Sequence, residues 1–345
     1  MLAQNDLIKF AKRIHLRYIP DSILGIKRVI HGKDFKYIDP NSVTISNLNT
    51  IQRIKELSIP PAWKNVWISP YPQGHLQATG LDKRARKQYI YHEDWKQLCS
   101  EDKFNKLIDF AKGLPDLRNF IYANLTPNNL SRKKVLSTII WLLEKTFIRI
   151  GNDEYAKDNN SFGLTTLRNR HVKVKGPNIK FQFIGKSGIE HLVNISHPSI
   201  AKTIKKCIEL PGYELFKCID EQGSKHIIDS QDVNNFLQEI TGKEITAKDF
   251  RTWGGTVLAA THLNKLGQFL DDVAHKNNIT QTVKEVSKHL RNTPSICKKY
   301  YIHPTVFYTY SKGLLVPHFQ RKSSKKLNRF SVNEDKVFTL LQNHA

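Results

Sequence analysis

The segment HLRNTPSICKKYYIHP, residues 289–304, sets two adjacent tyrosines, Tyr300 and Tyr301, behind a dibasic pair and just ahead of a His-Pro stop. Asn292 lies nine residues before Tyr301, in a Leu-Arg-Asn turn that closes an amphipathic run (Val283, Val286, His289, Leu290). A phenol titrates near about 10 and is a poor nucleophile at neutral pH unless cations and donors surround its target. Adjacent tyrosines at a helix end are also ordinary half-buried aromatics, and this stretch taken alone favours that reading.

Three cations elsewhere change the balance. Arg149 follows the apolar run 131–147 at its end, where a solvated or helix-capping charge would be ordinary. Arg251, in KDFRTWG, sits inside an apolar helix start, either paired with a carboxylate such as Asp249 or directed into a site. Lys186 lies in FIGKSG, which invites a phosphate-cradling loop. However, the first glycine of GxxxxGK[ST] would fall at position 180, which is Lys180. Nucleotide hydrolysis is therefore not expected, and Lys186 is an exposed cation on a Gly-flanked turn. Together Arg149, Lys186, Arg251 and Tyr301 fit attack by a phenol on a phosphodiester. Guanidinium forks would hold the growing charge on the phosphoryl oxygens, and a lysine would protonate the departing alkoxide.

Composition bounds the class. The 345 residues are 39% hydrophobic and 25% charged, the balance of a folded chain with room for two cores. Lys and Arg number 54 against 31 acids, a net charge of +23, which points to a polyanionic partner, nucleic acid before an acidic membrane surface. No apolar run nears the roughly 20 residues needed to span a bilayer, and the first twenty residues do not read as a signal peptide. Cys99, Cys207, Cys218 and Cys297 form no CxxC pair and read as free thiols of a reducing compartment; the 14 histidines form no HExxH cluster. No metal site and no cofactor are expected.

The elements that must position these residues divide the chain. Residues 1–95 read as a small β-rich domain, with strands at Ile26 to Ile30, Phe35 to Ile38, Val66 to Ser69, His75 to Thr79 and Arg86 to His92, and a helix from Thr50 to Leu57. Lys83, Arg84, Arg86 and Lys87 interleave with Gln88, Tyr89 and Tyr91, and the two tyrosines share a strand face. That edge suits phosphate and base-edge contacts, and equally a lysine-protected edge strand. Residues 96–320 read as a larger, mainly helical domain, with helices at Asp94 to Lys112, Leu117 to Asn124, Ser131 to Phe147, Ser199 to Glu209, Ser230 to Thr241 and Ala247 onward. Period two returns at 171–186 as a β-hairpin or small sheet, and a small strand pair is expected at 214–219 and 225–228. Residues 321–345 read as a basic tail with a short helix. The expected class is α+β.

Several blocks carry a resemblance: FIRIGNDEY, FGLTTLRNRHV, FIGKSG, KDFRTWGGT and LRNTPSICKKYYIHP, in this order. They resemble the signature blocks of type IB DNA topoisomerases, in the small subgroup found in poxviruses and bacteria. IPPAWKNVWISPYPQGHLQATGLDKRARKQYIYH resembles the DNA-clamping domain of that subgroup. The resemblance implies a clamp around duplex DNA and relaxation of supercoils through a 3′-phosphotyrosyl intermediate, without ATP or metal. It implies that Arg149 and Arg251 bind the scissile phosphate, Lys186 protonates the leaving 5′-hydroxyl and Tyr301 is the nucleophile. Gln88, Tyr89, Tyr91, Tyr155 and Lys248 match DNA-contacting positions. Asn292 departs from the histidine of poxvirus enzymes and tyrosine recombinases, as the bacterial branch does. An amide donates a hydrogen bond but carries no charge; His289 does not have the nine-residue spacing. The resemblance further implies a monomer in the cytoplasm on DNA, in a bacterial nucleoid or viral equivalent, with no membrane partner and no nucleotide cofactor. A tyrosine recombinase, or a non-catalytic basic DNA-binding protein, is the alternative.

Overall fold

In a computed structural model, which describes residues 4–32, 34–127, 129–321 and 329–344, the chain forms two compact units, 1–103 and 104–345. The division falls eight residues beyond the 95/96 boundary expected from sequence, inside a helix.

The first unit holds α1 (Gln4–Lys12), β1 (Ile26–His31), β2 (Asp34–Ile38), α2 (Leu48–Glu56), β3 (Lys64–Ile68), β4 (Leu76–Leu81) and β5 (Lys87–Tyr91). The five strands form one antiparallel sheet in the order β2-β1-β3-β4-β5. Its buried residues Ile26, Val66, Ile68 and Ala78 pack with Ile54 of α2. Asn47 caps α2 by accepting from the Thr50 amide.

α3 (Glu93–Leu125) is one helix where two were expected, with Pro115 inside it. An interior proline costs about 3 kcal/mol. The buried stripe Leu107, Phe110, Leu114, Leu117, Ile121 and Leu125 runs straight through it. At roughly 1.5–3 kcal/mol per buried side chain, that stripe outweighs the break.

The second unit continues with α4 (Arg132–Thr146), α5 (Asp153–Asn159), β6 (Val172–Lys175), β7 (Asn178–Ile184), β8 (Glu190–Ser196), α6 (Pro198–Glu209), β9 (Lys217–Ile219), β10 (Lys225–Ile227) and α7 (Ser230–Thr241). After them come α8 (Ala247–Leu266), α9 (Asp272–Leu290), α10 (Pro294–Tyr300), α11 (Pro304–Ser311), α12 (Leu315–Gln320) and α13 (Val332–Gln342). The architecture is the expected α+β one: a small β-sheet unit and a larger helical unit carrying small sheets. The expected β-hairpin or small sheet is a three-stranded sheet, β6-β7-β8. β8 escaped the sequence reading because His191 points inward and Leu192 outward, against their hydropathy. The strand pair β9/β10 forms as expected.

α4 and α8 lie in the middle of one large core, which α13 closes. Arg118 of α3 bonds both carboxylate oxygens of Glu334 of α13, at 3.1 and 2.6 Å, and also pairs with Glu144 of α4. Trp253 Nε1 of α8 donates to the same Glu334. The expected basic tail runs from Arg321 through residues 322–328, which lie outside the described residues; the short helix after it is the docked α13. Among the described residues no helix is long and apolar enough to cross a membrane.

Candidate active site

Two chain reversals and one helix face build the site, all within the second unit. α4 ends on Phe147, which adopts left-handed geometry (φ 53°) and turns the chain so that Arg149 follows the bend. α9 likewise ends on Arg291 (φ 48°), which presents Asn292 beyond the helix. Thr293 then caps α10 by accepting from the Ile296 amide, with Pro294 at the first helical position. α10 lasts seven residues and delivers Tyr301 at its C-terminal cap, the Tyr301 amide bonding the Cys297 carbonyl at 2.9 Å.

α8 joins these pieces. Arg251, Gly254 and Gly255 fall at i, i+3 and i+4 and so share a face. A Cβ on Gly254 would lie 2.1 Å from the Phe147 ring, and one on Gly255 would lie 2.6 Å from the Tyr301 carbonyl oxygen. Only glycine lets α8 approach both segments. Thr256 completes the tie, its hydroxyl accepting from the His303 amide at 3.1 Å while donating to the Thr252 carbonyl.

Arg251 is 3% exposed, yet among the described residues no carboxylate pairs with it or with Arg149. Asp249 caps α8 instead, bonding the amide and hydroxyl of Thr246. Arg251 donates to the Phe147 carbonyl and, at 2.8 Å, to the Leu290 carbonyl. Its guanidinium carbon sits 5.1 Å from the centre of the Tyr301 ring. Arg149 donates to the Asn292 side-chain oxygen and, at 3.3 Å, to the Arg291 carbonyl. Because the Asn292 oxygen is taken, its amide nitrogen faces the site as a donor.

Three buried donors are then left without a partner: Arg149 Nη1, Arg251 Nε and Asn292 Nδ2. Buried polar groups are nearly always paired, so three orphans in one place, two of them cationic, describe a seat for an anion with several acceptor oxygens. Burial, then the charge of Arg251, pushes the Arg149 pKa down, as unneutralised neighbouring cations must. The Tyr301 phenol responds oppositely. Burial alone would raise its pKa, but the charge and hydrogen bond of Arg251, then Arg149 and Lys248, outweigh burial and hold it below the usual phenol value.

The remaining expected residues fall around this centre. Lys186 stands exposed on the β7–β8 turn, next to Ser187 at φ 68°. A cavity of about 280 Å³ is walled by Arg149, Gly151, Asn152, Tyr155, Gly163 and Lys186, so Lys186 and Tyr155 open onto the same space as Arg149. Lys248 is exposed at the start of α8. Tyr300 is 37% exposed and turned out of the core against which Tyr301 packs. His289 is exposed and bonds the Glu285 carbonyl at 3.1 Å, so it does not join the cluster. In the first unit Tyr89 and Tyr91 stack in parallel, 6.0 Å apart at 9°, on one face of β5. Gln88 bonds Asp82, which also pairs with Arg86, and Lys87 pairs with Asp21. Among the described residues no group of three or more His, Cys, Asp or Glu could hold a metal ion, and the four cysteines are free.

A family model, the catalytic core of eukaryotic DNA topoisomerase I, matches residues 92–328, and a second, the N-terminal domain of bacterial DNA topoisomerase IB, matches residues 34–82. A DNA topoisomerase 1B of Acanthamoeba polyphaga mimivirus is 33% identical over 288 residues, covering 81% of this chain and 85% of the relative. The chain belongs to the type IB DNA topoisomerase family. A DNA topoisomerase 1 of rabbit fibroma virus is similar at 26% identity over 81% of this chain and 88% of its own length. A DNA topoisomerase 1B of vaccinia virus, strain Western Reserve, is similar at 23% over 79% and 85%. This type IB topoisomerase is thus an enzyme of a DNA-acting family.

Some residues that shape its site were not singled out from sequence. Gly254 and Gly255 carried a signal: two glycines inside a helix cost about 1 kcal/mol each and ask for a packing reason. Arg291 and Thr256 carried none, since a turn arginine and a helical threonine are commonplace.

Proposed function

We propose that this chain relaxes supercoiled duplex DNA by breaking and rejoining one strand, with Tyr301 as nucleophile. The observation that carries the reading is the trio of partnerless buried donors, Arg149 Nη1, Arg251 Nε and Asn292 Nδ2, beside a phenol whose pKa is lowered. A phosphodiester seated there offers its non-bridging oxygens to the three donors. The Tyr301 oxygen bonds to phosphorus as the bond to the 5′ oxygen breaks; the phenol proton leaves to water, and Lys186 gives a proton to the 5′ oxygen. The 3′-phosphotyrosyl bond keeps the energy of the broken ester, the free end turns, and the 5′-hydroxyl attacks to reseal. The step draws its charge stabilisation from fixed guanidinium groups and consumes no nucleotide. Tyr155 and Lys248 in the second unit, and Gln88, Tyr89 and Tyr91 in the first, are proposed as duplex contacts. One chain supplies every residue of the set, which supports action as a monomer.

Negatively supercoiled plasmid incubated with the protein in EDTA, without ATP, should become a ladder of relaxed topoisomers. A protein that shifts the plasmid on a gel yet leaves its linking number unchanged would be a DNA-binding protein only.

A further inference from the structure

Beneath the Lys186 turn lies a histidine that the proposed chemistry does not use. β7 and β8 pair Phe183 with His191 and Ile184 with Glu190, so the turn carrying Lys186 springs from the backbone beside His191. The His191 ring is 2% exposed and stacks on Phe183, with ring centres 4.6 Å apart at 24°. Neither ring nitrogen has a hydrogen-bond partner among the described residues. Burial, then the charges of Arg291, Arg149 and Arg251, holds its pKa down at about 4, so the ring is neutral and keeps one acceptor nitrogen. A Cβ on Gly185 would fall 2.5 Å from Nε2, so only glycine lets the start of the Lys186 turn lie this close against that buried nitrogen. The next residue on β8, Leu192, accepts from Arg291 Nη2 at 3.3 Å, which ties this end of the sheet to the turn presenting Asn292.

A purely packing role would be filled better by phenylalanine, because burying an imidazole with both nitrogens unpaired is unfavourable. Both nitrogens are sealed here, so any use of them requires the turn to shift. We infer that His191 is the positioning residue for Lys186: its Nε2 accepts one hydrogen bond from the Lys186 ammonium and aims another of that ammonium's protons at the departing 5′ oxygen. This inference rests on the proposed acid role of Lys186 and on no contact between His191 and DNA. Lys186 is otherwise a long flexible chain on an exposed turn, whose delivery to one oxygen must be specified by something fixed.

The test uses the full chain and two duplexes, one ordinary and one with the bridging 5′ oxygen at the cleavage site replaced by sulfur. A thiolate leaves without protonation, since thiols titrate near about 8.5. Single-turnover adduct formation is measured for Lys186→Ala, His191→Phe and His191→Gln, after melting and duplex binding are checked. His191→Phe keeps the stack and should lose about tenfold or more on oxygen, part of the roughly 10²–10⁴-fold that proton transfer supplies, and return to near the original rate on sulfur. His191→Gln, whose amide reaches where Nε2 stands, should recover most of the oxygen rate. His191→Phe matching the original protein on oxygen would overturn the inference, as would an equal defect on both substrates, which would mean action through the phosphate-holding arginines. A Lys186→Ala defect unrelieved by sulfur would instead remove the acid role itself, and that of His191 with it. If His191→Phe does not fold, His191→Gln and His191→Asn decide. Only Gln should work, and equal rates would refute the use of Nε2.

Discussion

Replacing Gly255 by alanine tests whether the glycine pair of α8 sets the position of Tyr301, the proposed nucleophile. The added Cβ would lie 2.6 Å from the Tyr301 carbonyl oxygen and 3.1 Å from Leu290 Cδ1, and real Cβ contacts essentially never fall below 3.0 Å. The Tyr301 backbone must therefore retreat by about 0.4 Å to reach that floor, and by about 0.8 Å to reach an ordinary 3.4 Å contact. Misplacement of about 1 Å costs roughly a hundredfold. Scaled logarithmically, those shifts slow the chemical step by about 6-fold to 40-fold. Overpacking costs about 1–3 kcal/mol, partly offset by the roughly 0.5–1 kcal/mol that alanine gains over glycine in a helix. The variant should fold with a modestly lower melting temperature. Single-turnover covalent adduct formation on a duplex that releases its cleaved end reads the rate, and anisotropy with an uncleaved duplex should show unchanged affinity. Gly113→Ala is the control, because a Cβ there meets nothing within 4 Å in α3. It should add about 0.5–1 kcal/mol of stability and leave the rate alone. A Gly255→Ala rate within twofold of the original would refute the positioning role.

Tyr301→Phe should bind duplex and form no adduct while Tyr300→Phe stays active; an adduct mapped by peptide sequencing to Tyr300 would reverse the assignment. Asn292→Ala should slow cleavage by the equivalent of about 1.5–3 kcal/mol, roughly tenfold to somewhat over a hundredfold, whereas exposed His289→Ala should stay within twofold. Glu334→Gln should destabilise the fold at pH 7 by about 2–3 kcal/mol in denaturant titrations, less than the full loss of a buried pair because Glu144 still faces Arg118. Burial alone would raise the Glu334 pKa, but its bonds to Arg118 hold it below the usual 4.5. Its contribution is thus present above the unfolded pKa and lost as pH falls through the lower folded one, so the gap between variant and original should close in strong acid. A gap that does not narrow at all as the pH is lowered would disprove the ion-pair account.

Much of this molecule could be read from its residues, for reasons that differ by element. α4 announces itself by spacing, since Val135, Ile139, Leu142 and Leu143 recur at helical period. Tyr89 and Tyr91 share a face because strands alternate. The ambiguity over Arg251, ion pair or site, could not be broken locally: the capping preference of Asp249 for Thr246 decides where that carboxylate goes, and only the carbonyls of Phe147 and Leu290, 104 and 39 residues away, show where the guanidinium goes instead. β8 stayed hidden because burial there follows the sheet and not hydropathy. The passage of α3 through Pro115 is a tertiary override, in which a long buried stripe outweighs a local breaker.

Tyr301 is fastened to its own α8 on the C-terminal side: its carbonyl rests on Gly255, and the amide two residues on is held by Thr256. With Tyr301 as the proposed nucleophile, these ties hold it to the same molecule that carries Arg149, Arg251 and Asn292, so the proposed cluster draws on one chain. On that proposal, diluting the protein should thin the number of working centres without weakening any of them. A single molecule on a long DNA should then suffice, and the specific rate of adduct formation at saturating duplex should be the same at the lowest measurable protein concentration as at the highest.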